Sequence, residues 1–315
     1  MTVTMSRCIL AGDLGGTKTL LALAESGADG LHILREQRFA SRDFACFDTL
    51  LTAFLNDGPP CRIDAACFGI AGPTDGRTAK LTYLPWHLDA TALEHDFAIA
   101  RVQLLNDFAA AARGIEGLQT EQLQTLQPGQ PVPQAPRLVL GAGTGLGVAG
   151  LIWQDGRYVP VPGEGGHIGF APQNARQMDL WRFLHARSGR VTAENVLCGE
   201  GLCRLYAFLG GTDKSPEEIG EAGIMGRDPR ATQTLDLWLE LYGAFAGDLA
   251  LHWLARGGVY LAGGVAAKLM PNLRLKPFLD AFRAKREHQA LATAMPVHLV
   301  LDERLGLLGA LAAAQ

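Results

Sequence analysis

Four carboxylates, one imidazole and two glycine-rich bends carry the chemistry that this sequence offers. Asp13 stands in Gly12-Asp13-Leu14-Gly15-Gly16-Thr17-Lys18-Thr19, between the apolar runs Cys8–Ala11 and Leu20–Ala24. Glycine permits positive φ and lets backbone N–H groups come close to a ligand. Successive N–H groups in such a bend cradle an anion, and phosphate fits. A second bend of the same kind, Gly141-Ala142-Gly143-Thr144-Gly145-Leu146-Gly147, lies between Leu138–Leu140 and Val148–Ile152. Two such bends far apart in the chain suggest two similar halves serving one polyphosphate. Asn106-Asp107 falls where an apolar run ends and an alanine-rich segment begins. A carboxylate there, at the carboxyl end of a strand, can reach a binding crevice and act as a general base. The same pair could instead cap a helix. Glu164 and His167 flank Gly165-Gly166, as a polar pair for hydroxyl groups or as a charged turn. Glu194, in Thr192-Ala193-Glu194-Asn195, reads as a helix start, where the dipole favours a carboxylate.

The elements that must position these groups follow from period and punctuation. Short apolar runs bounded by glycines read as buried strands. The first bend is therefore a strand–turn–strand, with a third strand over His32–Phe39. A helix over 44–56 stops at Asp57-Gly58-Pro59-Pro60, and Ala65–Ile70 is a buried strand ending at Ala71-Gly72-Pro73-Thr74. Leu81–His87 reads as a loop, Ala90–Phe97 as a helix, Arg101–Leu105 as a strand and Phe108–Ala112 as a helix. Gln119–Pro136, rich in Gln and Pro, reads as an exposed connection. After the second hairpin and a strand at Tyr158–Pro162 the chain is mostly helical. Its longest helix runs over Asp228–Leu254, with Asp228 as cap and Pro229 at the first helical position. Strands at 257–265 and Val297–Val300 and a last helix at Leu305–Ala314 complete the pattern.

Two phosphate motifs fail on spacing. Lys18 follows Thr17 rather than glycine, so the first bend is not a Walker loop. It opens a strand and not a helix, which excludes the dinucleotide fingerprint. At 315 residues the prior is two domains. With 48% hydrophobic and 19% charged residues the chain has ample core for a globular enzyme. A net charge of −4 gives no footprint for nucleic acid or an anionic membrane. No apolar run reaches the ~18 residues of a membrane span, and Met1–Arg7 is too short for a targeting sequence or DNA-binding module. Cys8, Cys46, Cys61, Cys67, Cys198 and Cys203 form no C-x-x-C pair and are expected to be reduced, buried thiols in a cytoplasmic protein. Cys198 and Cys203, with no second pair beside them, do not make a zinc site.

Taken together, Gly12–Thr19, Leu105–Phe108, Gly141–Gly147, Pro162–His167 and Leu261–Gly264 resemble the bacterial ATP-dependent glucokinases of the sugar kinase/actin/heat-shock ATPase superfamily. The motifs occur in the family's order over nearly the whole chain. The resemblance implies an α/β, two-lobed actin-like ATPase (ribonuclease H-like) fold, each lobe a mixed sheet flanked by helices, with a cleft between lobes. It implies a small lobe of residues 1–107 plus 301–315 and a large lobe of 108–300. It implies that Asp107 is the catalytic base, with Asn106, Asp107, Gly145, Glu164, His167 and Glu194 as sugar ligands. ATP would be held by Gly12, Asp13, Gly15, Gly16, Thr17 and Lys18 in the first hairpin, by Gly143 and Thr144 in the second, and by Gly263 and Gly264 at an adenosine turn. Asp13 would hold Mg2+ through water, and the partner would be a second copy in a homodimer.

The chain departs from related patterns in two places. It lacks the cluster of three cysteines and a histidine that marks a broader group of repressors and sugar kinases. Its loop Thr82-Tyr83-Leu84-Pro85-Trp86-His87 differs from an Asn-containing version. The implied function is glucose phosphorylation in glycolysis. The alternatives are a kinase of the same fold for mannose, fructose or an N-acetylated hexosamine, a non-catalytic sugar sensor, and a dinucleotide-dependent oxidoreductase. The last is disfavoured by the failed fingerprint.

Overall fold

The computed structural model describes residues 7–28, 30–58 and 61–315. The reading of the N-terminal segment therefore lies, but for Arg7, outside the described residues, as do Pro59 and Pro60 of the helix stop. The chain divides into two units, one of residues up to Leu118 with Arg304–Gln315, the other Gln119–Glu303.

In the first unit β1 (Arg7–Leu14), β2 (Lys18–Gly27) and β3 (Gly30–Ala40) form an antiparallel meander. There follow α1 (Phe47–Asn56), β4 (Ala65–Ile70), a small hairpin of β5 (Thr78–Lys80) and β6 (His87–Asp89), α2 (Ala90–Asp96), β7 (Val102–Asn106) and α3 (Asp107–Gly114). The sheet order is β3-β2-β1-β4-β7, with β1, β4 and β7 parallel. Side chains alternate across a strand, so the apolar runs have two faces to cover. Leu10, Leu14, Leu21 and Phe68 pack with Phe47, Leu50, Leu51 and Phe54 of α1. Ile9, Ala11, Leu20, Ala22 and Cys67 pack instead with Leu307, Ala310 and Leu311 of the C-terminal helix, Leu305–Ala314. That covering on both faces explains why the strands read as continuous apolar runs. The C-terminal helix also meets α3 so closely that a Cβ on Gly309 would lie 1.7 Å from the Ala110 carbonyl oxygen. This packing places α3 in the first unit, which runs to Leu118.

The second unit repeats the plan. It contains β8 (Leu123–Gln127), β9 (Arg137–Ala142), β10 (Leu146–Gln154) and β11 (Arg157–Gly163). Five helices follow: α4 (Ala175–Ser188), α5 (Glu194–Leu197), α6 (Gly199–Phe208), α7 (Pro216–Ile224) and α8 (Pro229–Trp253). Then come β12 (Gly258–Ala262), α9 (Gly264–Leu269), α10 (Lys276–Arg283), α11 (Gln289–Ala294) and β13 (Val297–Val300). The order is β11-β10-β9-β12-β13-β8: a meander, two parallel strands, and one antiparallel edge strand more than the first unit has. Its core gathers on α8, where Trp238 and Tyr242 are fully buried, and the Asp228 carboxylate accepts from the Arg230 and Ala231 N–H groups to start that helix.

Several expectations need correction. The segment 119–136 is not only a connection, because β8 pairs with β13 there. Its sequence, Leu-Gln-Thr-Leu-Gln, hides a strand because its last glutamine is partnered rather than solvated. Gln127 is buried and its Nε2 donates to the Ala292 and Met295 carbonyls while its Oε1 accepts from Arg283 Nε. The first helix starts at Phe47, preceded by a single 3-10 turn at Ser41–Asp43. The thiols are not uniformly buried: Cys67 and Cys198 are, Cys8, Cys46 and Cys203 are half-buried, and Cys61 is exposed.

Candidate active site

The first unit assembles its polar groups at one edge of the sheet, where Leu14, Ile70 and Asn106 stand in register at the ends of β1, β4 and β7. Between β1 and β2 the bend is closed by the Gly15 N–H donating to the Lys18 carbonyl at 3.0 Å. Ser41 pins it from behind: its Oγ donates to the Gly15 carbonyl at 2.8 Å and lies 2.9 Å from Thr19 Oγ1, and its N–H donates to the Thr17 carbonyl. Ser41 and Thr19 are both fully buried. Nothing in local spacing points to Ser41, which follows β3 and meets the bend only through sheet pairing. Gly16 has Tyr83 against it, with that Cβ only 2.7 Å from where a Gly16 side chain would begin. Thr17 and Lys18 are exposed at the tip.

Gly12 sits inside β1, where a Cβ would collide with Leu21, Leu14 and Phe68. Next to it, Asp13 reaches the edge of the sheet. A Cβ on Gly306 of the C-terminal helix would stand 2.8 Å from its carboxyl carbon. Burial pushes the Asp13 carboxyl up to about 6, against the pull of Lys18. A carboxylate that has lost so much water is one that a hydrated cation would stabilise, so this donor fits Mg2+.

At the β7–α3 junction Asn106 and Asp107 are placed differently. Asn106 is the cap: its Oδ1 accepts from the Phe108 and Ala109 N–H groups at 3.0 and 3.2 Å. Its Nδ2 donates to the Gly72 carbonyl at 3.4 Å, tying the junction to the turn after β4. That turn is held in its own right, Ala71 donating to Leu14 and accepting from the Thr82 N–H of the 82–87 loop. Asp107 is the first residue of α3, half-buried, with Oδ1 2.9 Å from the Phe108 N–H.

The second unit gathers another set. In its bend the Gly143 N–H donates to the Gly145 carbonyl, and the Gly143 carbonyl accepts from Gly199 at the start of α6. Thr144 is exposed between them. Glu194 opens α5, and its carboxylate crosses to accept from the Leu146 N–H at 2.9 Å. Beyond the helix start that the sequence suggests, this residue therefore fixes the end of the second bend. Glu164 and His167 lie on a single 3-10 turn after β11, with side chains exposed and His167 Nε2 3.9 Å from Glu164 Oε2. What anchors the turn is backbone contact: a Cβ on Gly166 would stand 1.9 Å from the Leu146 carbonyl oxygen, and one on Gly165 2.8 Å from Val148. The two glycines and the Glu194 carboxylate thus converge on the first residues of β10, joining Gly145, Glu164, His167 and Glu194 into one cluster. Gly263 ends β12 with φ 89° against Ala142 at the end of β9, while Gly264 has open space around its Cα.

This geometry has well-populated likenesses. The glucokinase family model matches residues 10–315. A glucokinase of Nostoc sp. is 40% identical, covering 96% of this chain and 97% of its own. Among solved structures, a glucokinase from an Antarctic psychrotroph superposes with a TM-score of 0.85 at 29% identity, covering 98% of both chains. A ROK family glucokinase from Streptomyces griseus, solved with glucose and AMPPNP, shares the fold at a TM-score of 0.64 and 23% identity, over 98% of this chain and 99% of that one. The fold is the actin-like ATPase fold of sugar kinases, and with a family match over almost its full length this chain belongs to the glucokinase family.

Proposed function

We propose that the chain is an ATP-dependent hexose kinase that transfers the γ-phosphoryl group of ATP to the 6-hydroxyl of D-glucose. The observation that carries this reading is Asp107, in a member of the glucokinase family, at the same sheet edge as the Asp13 bend. Phosphoryl transfer proceeds through a loose transition state and needs positioning and charge stabilisation more than covalent chemistry. The backbone N–H groups of Gly15, Gly16 and Thr17 and of Gly143 and Thr144 would hold phosphate oxygens, with Lys18 beside the first set and Gly263 and Gly264 taking the adenosine. Mg2+ held by Asp13 through water would neutralise charge on the phosphates.

Asn106 orients the sugar while its cap fixes Asp107, and Asp107 takes the proton from the 6-hydroxyl late in the step. Glu164, His167 and Glu194, near Gly145, would read sugar hydroxyls. Selectivity follows because a missing or inverted hydroxyl leaves such groups without partners. A homodimer, a cytoplasmic location and a role in glycolysis belong to the same reading and rest on the family resemblance. Among the described residues no helix is long and apolar enough to cross a membrane.

A coupled assay with ATP, Mg2+ and a panel of hexoses tests the substrate. Glucose is expected to give the highest kcat/KM, with glucose 6-phosphate as product, and a clear preference for another sugar overturns the assignment. Asp107→Asn is expected to keep glucose binding while kcat falls by ~10² or more. Full activity in that variant removes Asp107 from the role of base.

A further inference from the structure

Cys8 and Cys61 are far apart in sequence and adjacent in the fold. Cys8 is the second residue of β1, and Cys61 lies just ahead of β4, its parallel neighbour. The pairing of those strands extends past their ends: the Asp64 N–H donates to the Cys8 carbonyl at 2.8 Å, and the Cys8 N–H donates to Asp64 Oδ2 at 3.0 Å. This double clamp holds the two sulfur atoms 2.9 Å apart, with Cys61 exposed and Cys8 half-buried. A disulfide needs about 2.05 Å between sulfurs, so a small approach of the exposed partner completes the bond.

We propose that Cys8 and Cys61 form a dithiol modification site, which a low-molecular-mass disulfide such as oxidised glutathione converts to an intramolecular disulfide. The Cys61 thiolate, being exposed, attacks the small disulfide, breaking its S–S bond and releasing one thiolate. A mixed disulfide remains on Cys61. The Cys8 sulfur, after losing its proton, attacks the Cys61 sulfur and expels the second small thiolate. Two protein thiols are oxidised by two electrons, and one small disulfide is reduced to two thiols that take up the two protons. Burial and the neighbouring Cys61, with the Asp64 and Glu25 carboxylates adding to them, push the Cys8 thiol up to about 12. The second step is therefore the slow one, and it proceeds because the clamp holds the sulfurs together.

The bond would staple the segment from β1 through α1 to the start of β4. It would do so at the opposite end of β1 from Asp13, roughly 17 Å away at the rise of a strand. The consequence is a more stable first unit with unaltered catalysis. The disulfide forms whichever sugar accepts the phosphoryl group.

The experiment treats the full native chain with oxidised glutathione, then maps disulfides in the intact protein and its peptides by mass spectrometry. The expected product has lost two hydrogen atoms, contains a peptide linking Cys8 to Cys61, and melts roughly 5–10 °C higher. Dithiothreitol reverses the shift, and kcat stays within about twofold in the coupled assay. Cys61→Ser, at an exposed position, folds normally and shows neither the linked peptide nor the rise in melting temperature. A glutathione adduct on Cys61 that never resolves, or a linkage to Cys46 in place of Cys8, overturns the proposal.

Discussion

Asp13 stands in an environment that opposes its charge. Its carboxyl titrates near 6 because burial removes water from it and Lys18 restores only part of the loss. A group whose folded pKa is raised above its unfolded value binds a proton more tightly when folded. Its ionised form therefore costs stability, from nothing below the ordinary range near 4 to the full amount above 6. Asp13→Asn removes that cost. Measured in chelator, its melting temperature is expected to exceed the wild type's at pH 8, with the difference shrinking to nothing by about pH 4, while its activity with Mg2+ and ATP falls. Equal pH dependence in the two proteins would contradict burial as the cause. Glu164 presents the opposite case, an exposed carboxylate on a turn held by its glycines. Glu164→Ala is expected to leave stability within about 0.5 kcal/mol and to raise the KM for glucose far more than the KM for ATP. Comparable rises in both constants would take Glu164 out of the sugar site.

At the scale of elements, each glycine bend is shaped by a residue from elsewhere in its own unit. The first is held by Ser41, through the Gly15 carbonyl, the Thr17 carbonyl and Thr19 Oγ1. Ser41→Ala removes the hydroxyl and leaves the buried Thr19 hydroxyl without that partner. Loss of a buried hydrogen-bond partner costs about 1–3 kcal/mol, so a lower melting temperature is expected together with a higher KM for ATP. Cysteine at the same position, which retains a weak donor, should fall between. If the KM for ATP stays constant while stability drops, the hairpin does not depend on Ser41 for its shape. The second bend is held by Glu194 through Leu146, and Asn106 plays the corresponding part at the β7–α3 junction, where one amide caps a helix and ties it to the turn at Gly72.

At the scale of the whole molecule, two units share one strand plan, β3-β2-β1-β4-β7 in one and β11-β10-β9-β12-β13 in the other. The first unit is completed by the last helix of the chain. Leu307, Ala310 and Leu311 cover one face of its sheet, and Gly309 permits close contact with α3. Introducing a charge there, Leu311→Asp, leaves an unpaired carboxylate among Ile9, Ala22 and Cys67. The expected result is loss of several kcal/mol of stability, with the first unit unfolding below the second in a calorimetric scan. A single unshifted transition would show that the helix does not hold the unit together.

The strands, the long helix and both glycine bends were legible in the sequence because their signals are local. Apolar runs bounded by glycine, and Asp228-Pro229 ahead of a helical stripe, state their conformation within a few residues. Gly12–Thr19 and Gly141–Gly147 were likewise legible as a repeated device. Tertiary structure alone decided which residues support them. Ser41 reaches the first bend only through the pairing of β2 with β3, Glu194 meets Leu146 from 48 residues along the chain, and Cys8 meets Cys61 only because β1 and β4 run parallel. The strand β8 is not legible for a related reason, since Gln127 is satisfied by carbonyls and an arginine distant in sequence. Propensity and periodicity report what a segment does with its own neighbours. A hydrogen bond or a thiol contact between segments is fixed by sheet register, and register exists only once the chain has folded.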